Sequence, residues 1–76
     1  MFQVGNKVRG REKQTKDYMI MNSYLELGIV EALKEEKGKK LMYVKIKKHH
    51  WTEYQNSGFW VYNDENDFEL IINRKE

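Results

Sequence analysis

A chain of 76 residues has room for one domain, because so short a chain buries only about 60% of the surface that its unfolded form exposes. It has no cysteine, which excludes disulfides and thiolate zinc sites, the usual reinforcement of small secreted domains, and makes a reducing cytoplasm the expected compartment. The net charge of +2 is the sum of unlike stretches: +3 over 1–17, −2 over 18–33, +5 over 34–50 and −4 over 51–76. Such segregation suits a dipolar surface with a nucleic-acid-attracting side, though a solvated lysine-rich surface is the simpler and preferred reading.

Met1 to Gly5 has no charged region followed by an apolar stretch, and runs such as Tyr18-Met19-Ile20-Met21 are too short to span a bilayer. Neither export nor membrane insertion is expected. Val4, Asn6 and Val8 alternate and the segment ends at Gly10, which predicts a short opening strand. Glu12 to Asp17 is wholly polar and reads as a loop.

Asn22 to Lys40 supports two readings. Ser23-x-x-Glu26 fits a capping box, Leu25, Ile29 and Leu33 fall at helical spacing, and Gly38 suits a C-terminal cap. Against that helix, Gly28 inside it costs about 1 kcal/mol relative to alanine, and Ile29 and Val30 are β-branched. The alternative is a strand over Leu27 to Leu33, turning at Glu35-Glu36-Lys37-Gly38. Local propensity leaves both open. Leu41 to Lys47 alternates cleanly, with Met42, Val44 and Ile46 on one face and Tyr43, Lys45 and Lys47 on the other. Lys48 to Gly58 is polar with interspersed aromatics and reads as an exposed loop. Phe59-Trp60-Val61-Tyr62 and Phe68 to Ile72 are β-prone and flank the turn-rich 63–67 stretch.

Phe2-x-Val4-Gly5-x-x-Val8-Arg9-Gly10, Tyr18-x-Ile20-x-Asn22, Gly28-Ile29-Val30-Glu31, Val44-Lys45-Ile46, Phe59-Trp60-Val61 and Phe68-Glu69-Leu70-Ile71 follow in that order. The series resembles small bacteriophage-type SH3-like barrel proteins. That resemblance implies a mainly β fold over 1–76, a small barrel of about five antiparallel strands in which Gly28-Ile29-Val30 is a strand and a short helical turn precedes the last one. An α+β fold, with a helix at 23–37 packed on a sheet, is the alternative. The expected core is Val8, Ile29, Val30, Met42, Val44, Ile46, Phe59, Val61, Phe68 and Leu70.

No catalytic constellation is recognisable. His49-His50 has no cysteine or third histidine to complete a zinc site, and neighbours in an extended chain point to opposite faces, so a solvated turn is the plain reading. Ser23 and Ser57 have neither a nucleophile elbow nor a paired base, the glycines make no phosphate loop, and Asp64, Glu65 and Asp67 crowd one polar turn that they are expected to cap. No enzyme activity, cofactor, metal or small-molecule substrate is expected. The feature suited to binding is an aromatic set, Tyr43, Trp51, Tyr54, Trp60 and Tyr62, beside Lys45, Lys47, Lys48, His49 and His50. With Phe59 and Val61 inside, Trp60 and Tyr62 face out, next to Tyr43 on a neighbouring strand. Trp51 and Tyr54 are either anchors on a partner or a lid over an undersized core. The expected partner is a host protein that the chain engages and modulates, with nucleic acid, bound by lysines and stacking rings, as the alternative.

Overall fold

The computed structural model describes residues 1–11 and 24–71; the loop expected at 12–17, the Tyr18-x-Ile20-x-Asn22 stretch, Ser23 and Ile72 lie outside them. Strands β1 (Lys7–Gly10), β2 (Leu25–Glu36), β3 (Lys39–His49), β4 (Gly58–Tyr62) and β5 (Phe68–Leu70) form one antiparallel sheet in the order β4-β3-β2-β1-β5. Among the described residues β4 and β5 are its two edges, and the sheet is open.

Within the ambiguous segment Leu25–Glu36 is strand, which corrects the α+β alternative with a helix at 23–37. Lys37 and Gly38 have φ of 51° and 79°, the two left-handed residues that a tight hairpin matching strand twist requires. That turn sets Glu36 against Lys39, Glu35 against Lys40, Lys34 against Leu41 and Leu33 against Met42. Further along, Val30 meets Val44 and Gly28 meets Ile46. Cross-strand burial of β-branched side chains thus overrides the local capping signals.

β2 is not flat. Its pairing with β3 slips between Leu25 and Leu27, between Leu27 and Gly28, and between Val30 and Ala32, and such irregularities bend and coil a strand. Gly28 permits the bend, since a Cβ there would lie 2.5 Å from Val44 Cγ1 and 3.2 Å from Leu25 Cδ2. The concave face holds Val8, Leu25, Val30, Met42, Val44, Ile46 and Phe68, with Phe59 and Val61 half-buried against them. Two expected core positions differ. Ile29 is only half-buried and pairs with Lys45 on the convex face, and Leu70 is 46% exposed because it lies on edge strand β5.

Phe2 completes the core at one end. Gly5 N–H donates to Val30 C=O (2.8 Å), which holds the first residues against β2, and Phe2 is clasped by Asn63 just after β4. Phe2 N–H donates to Asn63 Oδ1 (2.9 Å) while Asn63 Nδ2 donates to Phe2 C=O (3.0 Å). The amide side chain substitutes for a strand partner and satisfies two buried backbone groups.

Where a short helical turn is expected before the last strand, the chain makes one hydrogen-bonded turn, in which Asp67 and Phe68 N–H donate to Asp64 C=O and Asp64 Oδ1 accepts from Asn66 N–H. The one 3₁₀ turn among the described residues is Thr52–Tyr54, between β3 and β4. No helix there is long and apolar enough to cross a membrane.

Candidate functional site

The strand registers divide the aromatic residues into two groups. On the convex face, Ala32, Tyr43 and Trp60 lie side by side across β2, β3 and β4, with Lys34, Leu41 and Tyr62 in one neighbouring row and Ile29, Lys45 and Gly58 in the other. Tyr43 meets Trp60 edge-on, with ring centroids 5.3 Å apart at 64°, a pairing worth about 1 kcal/mol beyond its buried area. The Tyr43 ring lies over Gly58, where any Cβ would come within 2.4 Å of Cζ. A glycine on β4 therefore seats the aromatic of β3. Trp60 remains 42% exposed and Tyr62 54%.

Lysines cover this face in part. Lys34 Nζ is 4.3 Å from the Trp60 ring centroid and Lys39 Nζ 5.6 Å from that of Tyr62, both within cation–π range. Lys34 also pairs with Glu36 at 3.2 Å, whereas Lys48 pairs with Glu26 at 3.6 Å. Among the described residues Lys39, Lys45 and Lys47 form no ion pair. Sequence reading missed Lys34 and Lys39. The signal was present in the two-residue turn at Lys37-Gly38, which places Lys34 opposite Leu41 and hence beside Tyr62.

The second group lies at the far end of β3 from the Phe2 clasp. The loop expected to be exposed over Lys48 to Gly58 is so only in part: Lys48, His50, Thr52, Glu53 and Asn56 are exposed, but β3 runs on to His49, which is only 2% exposed, and Trp51 and Tyr54 are half-buried beside it. His49 Nδ1 accepts Trp51 N–H (2.9 Å), and the His49 ring meets Tyr54 edge-on at 4.9 Å. Trp51 stacks on Tyr54 with centroids 5.8 Å apart and planes at 24°, and Tyr54 meets Phe59 at 5.9 Å. Asn56, with φ of 69°, donates its N–H to Ile46 C=O and returns the chain to β4. The solvated-turn reading of the histidine pair therefore holds for His50 alone, which is exposed beside Tyr24 at 5.0 Å.

Tyr43, Lys45, Trp60 and Tyr62 are thus brought together, with Lys47 exposed farther along β3, while Trp51, Tyr54 and His50 belong to the loop end. No family model, curated protein or solved structure matches the chain. Among the described residues no three His, Asp or Glu converge on a metal-sized site.

Charge elsewhere is largely committed to the fold. Arg9 and Arg11 hold Glu69, and Arg11 Nε also donates to the carbonyls of Glu65 and Phe68. The Met1 amine donates to Glu65 Oε2 at 2.7 Å, and this hydrogen bond, together with the amine's charge, holds the Glu65 carboxyl below its ordinary pKa.

Proposed function

We propose that this chain is a non-enzymatic, phage-encoded binding module of the SH3-like barrel type, which engages and modulates a host protein in the host cytoplasm through the convex face of β2, β3 and β4. Support for the barrel type comes from β1 lying between β2 and β5, from the coiling of β2 at Gly28, and from the order of sequence motifs. The phage assignment rests on the motif resemblance alone.

The observation that carries the functional reading is the exposure of Trp60 and Tyr62 on an edge strand, 42% and 54%, beside Tyr43 and a lysine-rich β3. Large rings left in water are the side chains that anchor binding hot spots, and the surrounding lysines steer encounter. Tyr54 packs against the core and Trp51 stacks on Tyr54 beside the buried His49, which favours Tyr43, Trp60 and Tyr62 as the anchors. One observation favours a second reading: β3 carries Lys39, Lys40, Lys45, Lys47 and Lys48 with no acidic residue, a pattern that also suits phosphates beside stacked bases.

Capture from bacterial lysate with wild type and Trp60→Ala, before and after nuclease treatment, separates the two. The protein reading expects a partner that survives nuclease and is lost with Trp60→Ala. Loss of all captured material on nuclease treatment would overturn it in favour of nucleic acid.

A further inference from the structure

The backbone of β4 shows which of its groups remain available. Asn63 N–H donates to Lys40 C=O and Ile46 N–H donates to Ser57 C=O, at 2.9 and 2.7 Å. Hydrogen-bonded positions alternate along an antiparallel pair. Phe59 and Val61, between Ser57 and Asn63, therefore bond to β3, and Gly58, Trp60 and Tyr62 turn their N–H and C=O groups outward. Among the described residues nothing bonds to these three on that side.

Exposed edges are ordinarily blunted by a charge, a proline, a bulge or shortness. The other edge, β5, has three residues, and its Glu69 is held by Arg9 and Arg11. β4, Gly58-Phe59-Trp60-Val61-Tyr62, has none of the charges, prolines or bulges, and its pairing with β3 is unbroken. It is a template for a further strand.

The charge around it selects the occupant. Lys34, which also pairs with Glu36, and Lys39 carry their ammonium groups to the rings of β4, the strand beside which an added strand would lie. Lys45 stands in the adjacent row and has no ion pair among the described residues. A second copy pairing through β4 would bring the same lysines onto the same side of the joined sheet, where like charges repel.

We propose, building on the protein-docking reading above, that the partner presents an extended acidic segment that adds to the free edge of β4. It bonds to the backbone of Gly58, Trp60 and Tyr62, and every second side chain is a carboxylate facing Lys34, Lys39 and Lys45. Main-chain bonds supply much of the affinity in such strand addition, and alternate side chains supply selectivity.

The test uses blocked peptides of about seven residues, long enough to cover a strand: alternating glutamate and valine, its lysine–valine counterpart, and the glutamate–valine peptide N-methylated at every second residue along either edge. The glutamate–valine peptide should bind at neutral pH and slow amide hydrogen exchange at Gly58, Trp60 and Tyr62. The lysine–valine peptide should not bind. One N-methylated form should bind about tenfold more weakly or worse, as expected from losing a few net hydrogen bonds. Equal binding by both N-methylated forms would overturn strand addition while leaving docking on the convex face intact. Failure of the glutamate–valine peptide to bind would overturn the acidic segment, and the Trp60→Ala capture would still decide the face itself. Slow exchange at the three amides without peptide, in a sample that sediments as a dimer, would make the occupant a second copy.

Discussion

Replacing Asn63 by alanine removes both hydrogen bonds that hold Phe2 under the end of the sheet. The N–H and C=O of Phe2 are both buried there, and each orphaned buried group costs about 1–3 kcal/mol. The pair should therefore cost about 2–6 kcal/mol, from a total that for a chain of this size is about 4–11 kcal/mol. At about 4–8 °C per kcal/mol, thermal unfolding should move down by about 8 °C at the least and about 48 °C at the most. Asn66→Ala is the control, because Asn66 is exposed and its recorded bond is made by its backbone N–H. Urea unfolding adds a diagnostic: if the arm frays before the rest, less surface remains to be exposed and the m-value falls along with the midpoint. Were Asn63→Ala to melt with Asn66→Ala and wild type, the clasp would not be holding the N-terminal arm.

Gly28→Ala forces a Cβ to 2.5 Å from Val44 Cγ1 and should cost about 1–3 kcal/mol by overpacking; combined with Val44→Ala in urea unfolding, the costs should sum to less than additive because the clashing methyl is gone, and strict additivity would refute the contact. Trp51→Ala should lower stability by about 2–3 kcal/mol, since the ring is half-buried and stacks on Tyr54, which packs against the core, whereas Trp60→Ala, at a more exposed ring, should cost about 1–2 kcal/mol; calorimetry that reverses this order would exchange the roles of the two tryptophans. Glu65 has a folded pKa below its unfolded one, so its ion pair stabilises above the unfolded pKa and is lost as pH falls through the folded value. Glu65→Gln should accordingly be less stable than wild type at neutral pH, with the gap closing in acid below the ordinary carboxylate range; a gap that widens in acid would show that the Met1 pairing is not its source.

The strands were legible wherever one face is buried. Met42, Val44 and Ile46 alternate without interruption, so β3 and its buried face follow from pattern alone. β2 was not legible locally, because Ser23, Glu26, Leu25, Ile29 and Leu33 satisfy a helical template equally well. Only the pairing of Val30 with Val44 and of Gly28 with Ile46 decides between them, and that is a long-range interaction. Alternation could place Trp60 and Tyr62 outside. It could not place Trp51, Tyr54 or His49, because the 3₁₀ turn and the His49–Trp51 hydrogen bond fold a polar-looking loop back onto the core. Asn63 was unreadable for a similar reason, since its backbone partner is 61 residues away in the chain.

The central claim, that the exposed rings of the convex face bind while those of the loop fold, is tested most directly by titrating the captured host protein with Trp60→Ala and Trp51→Ala side by side. Affinity should fall by at least about tenfold for Trp60→Ala, the loss of one hot-spot anchor, in a protein that stays folded and loses less stability than Trp51→Ala does. Trp51→Ala should melt earlier and, below its transition, bind as wild type does. A folded Trp51→Ala that no longer binds, beside a Trp60→Ala with wild-type affinity, would contradict the account and move the site to the loop.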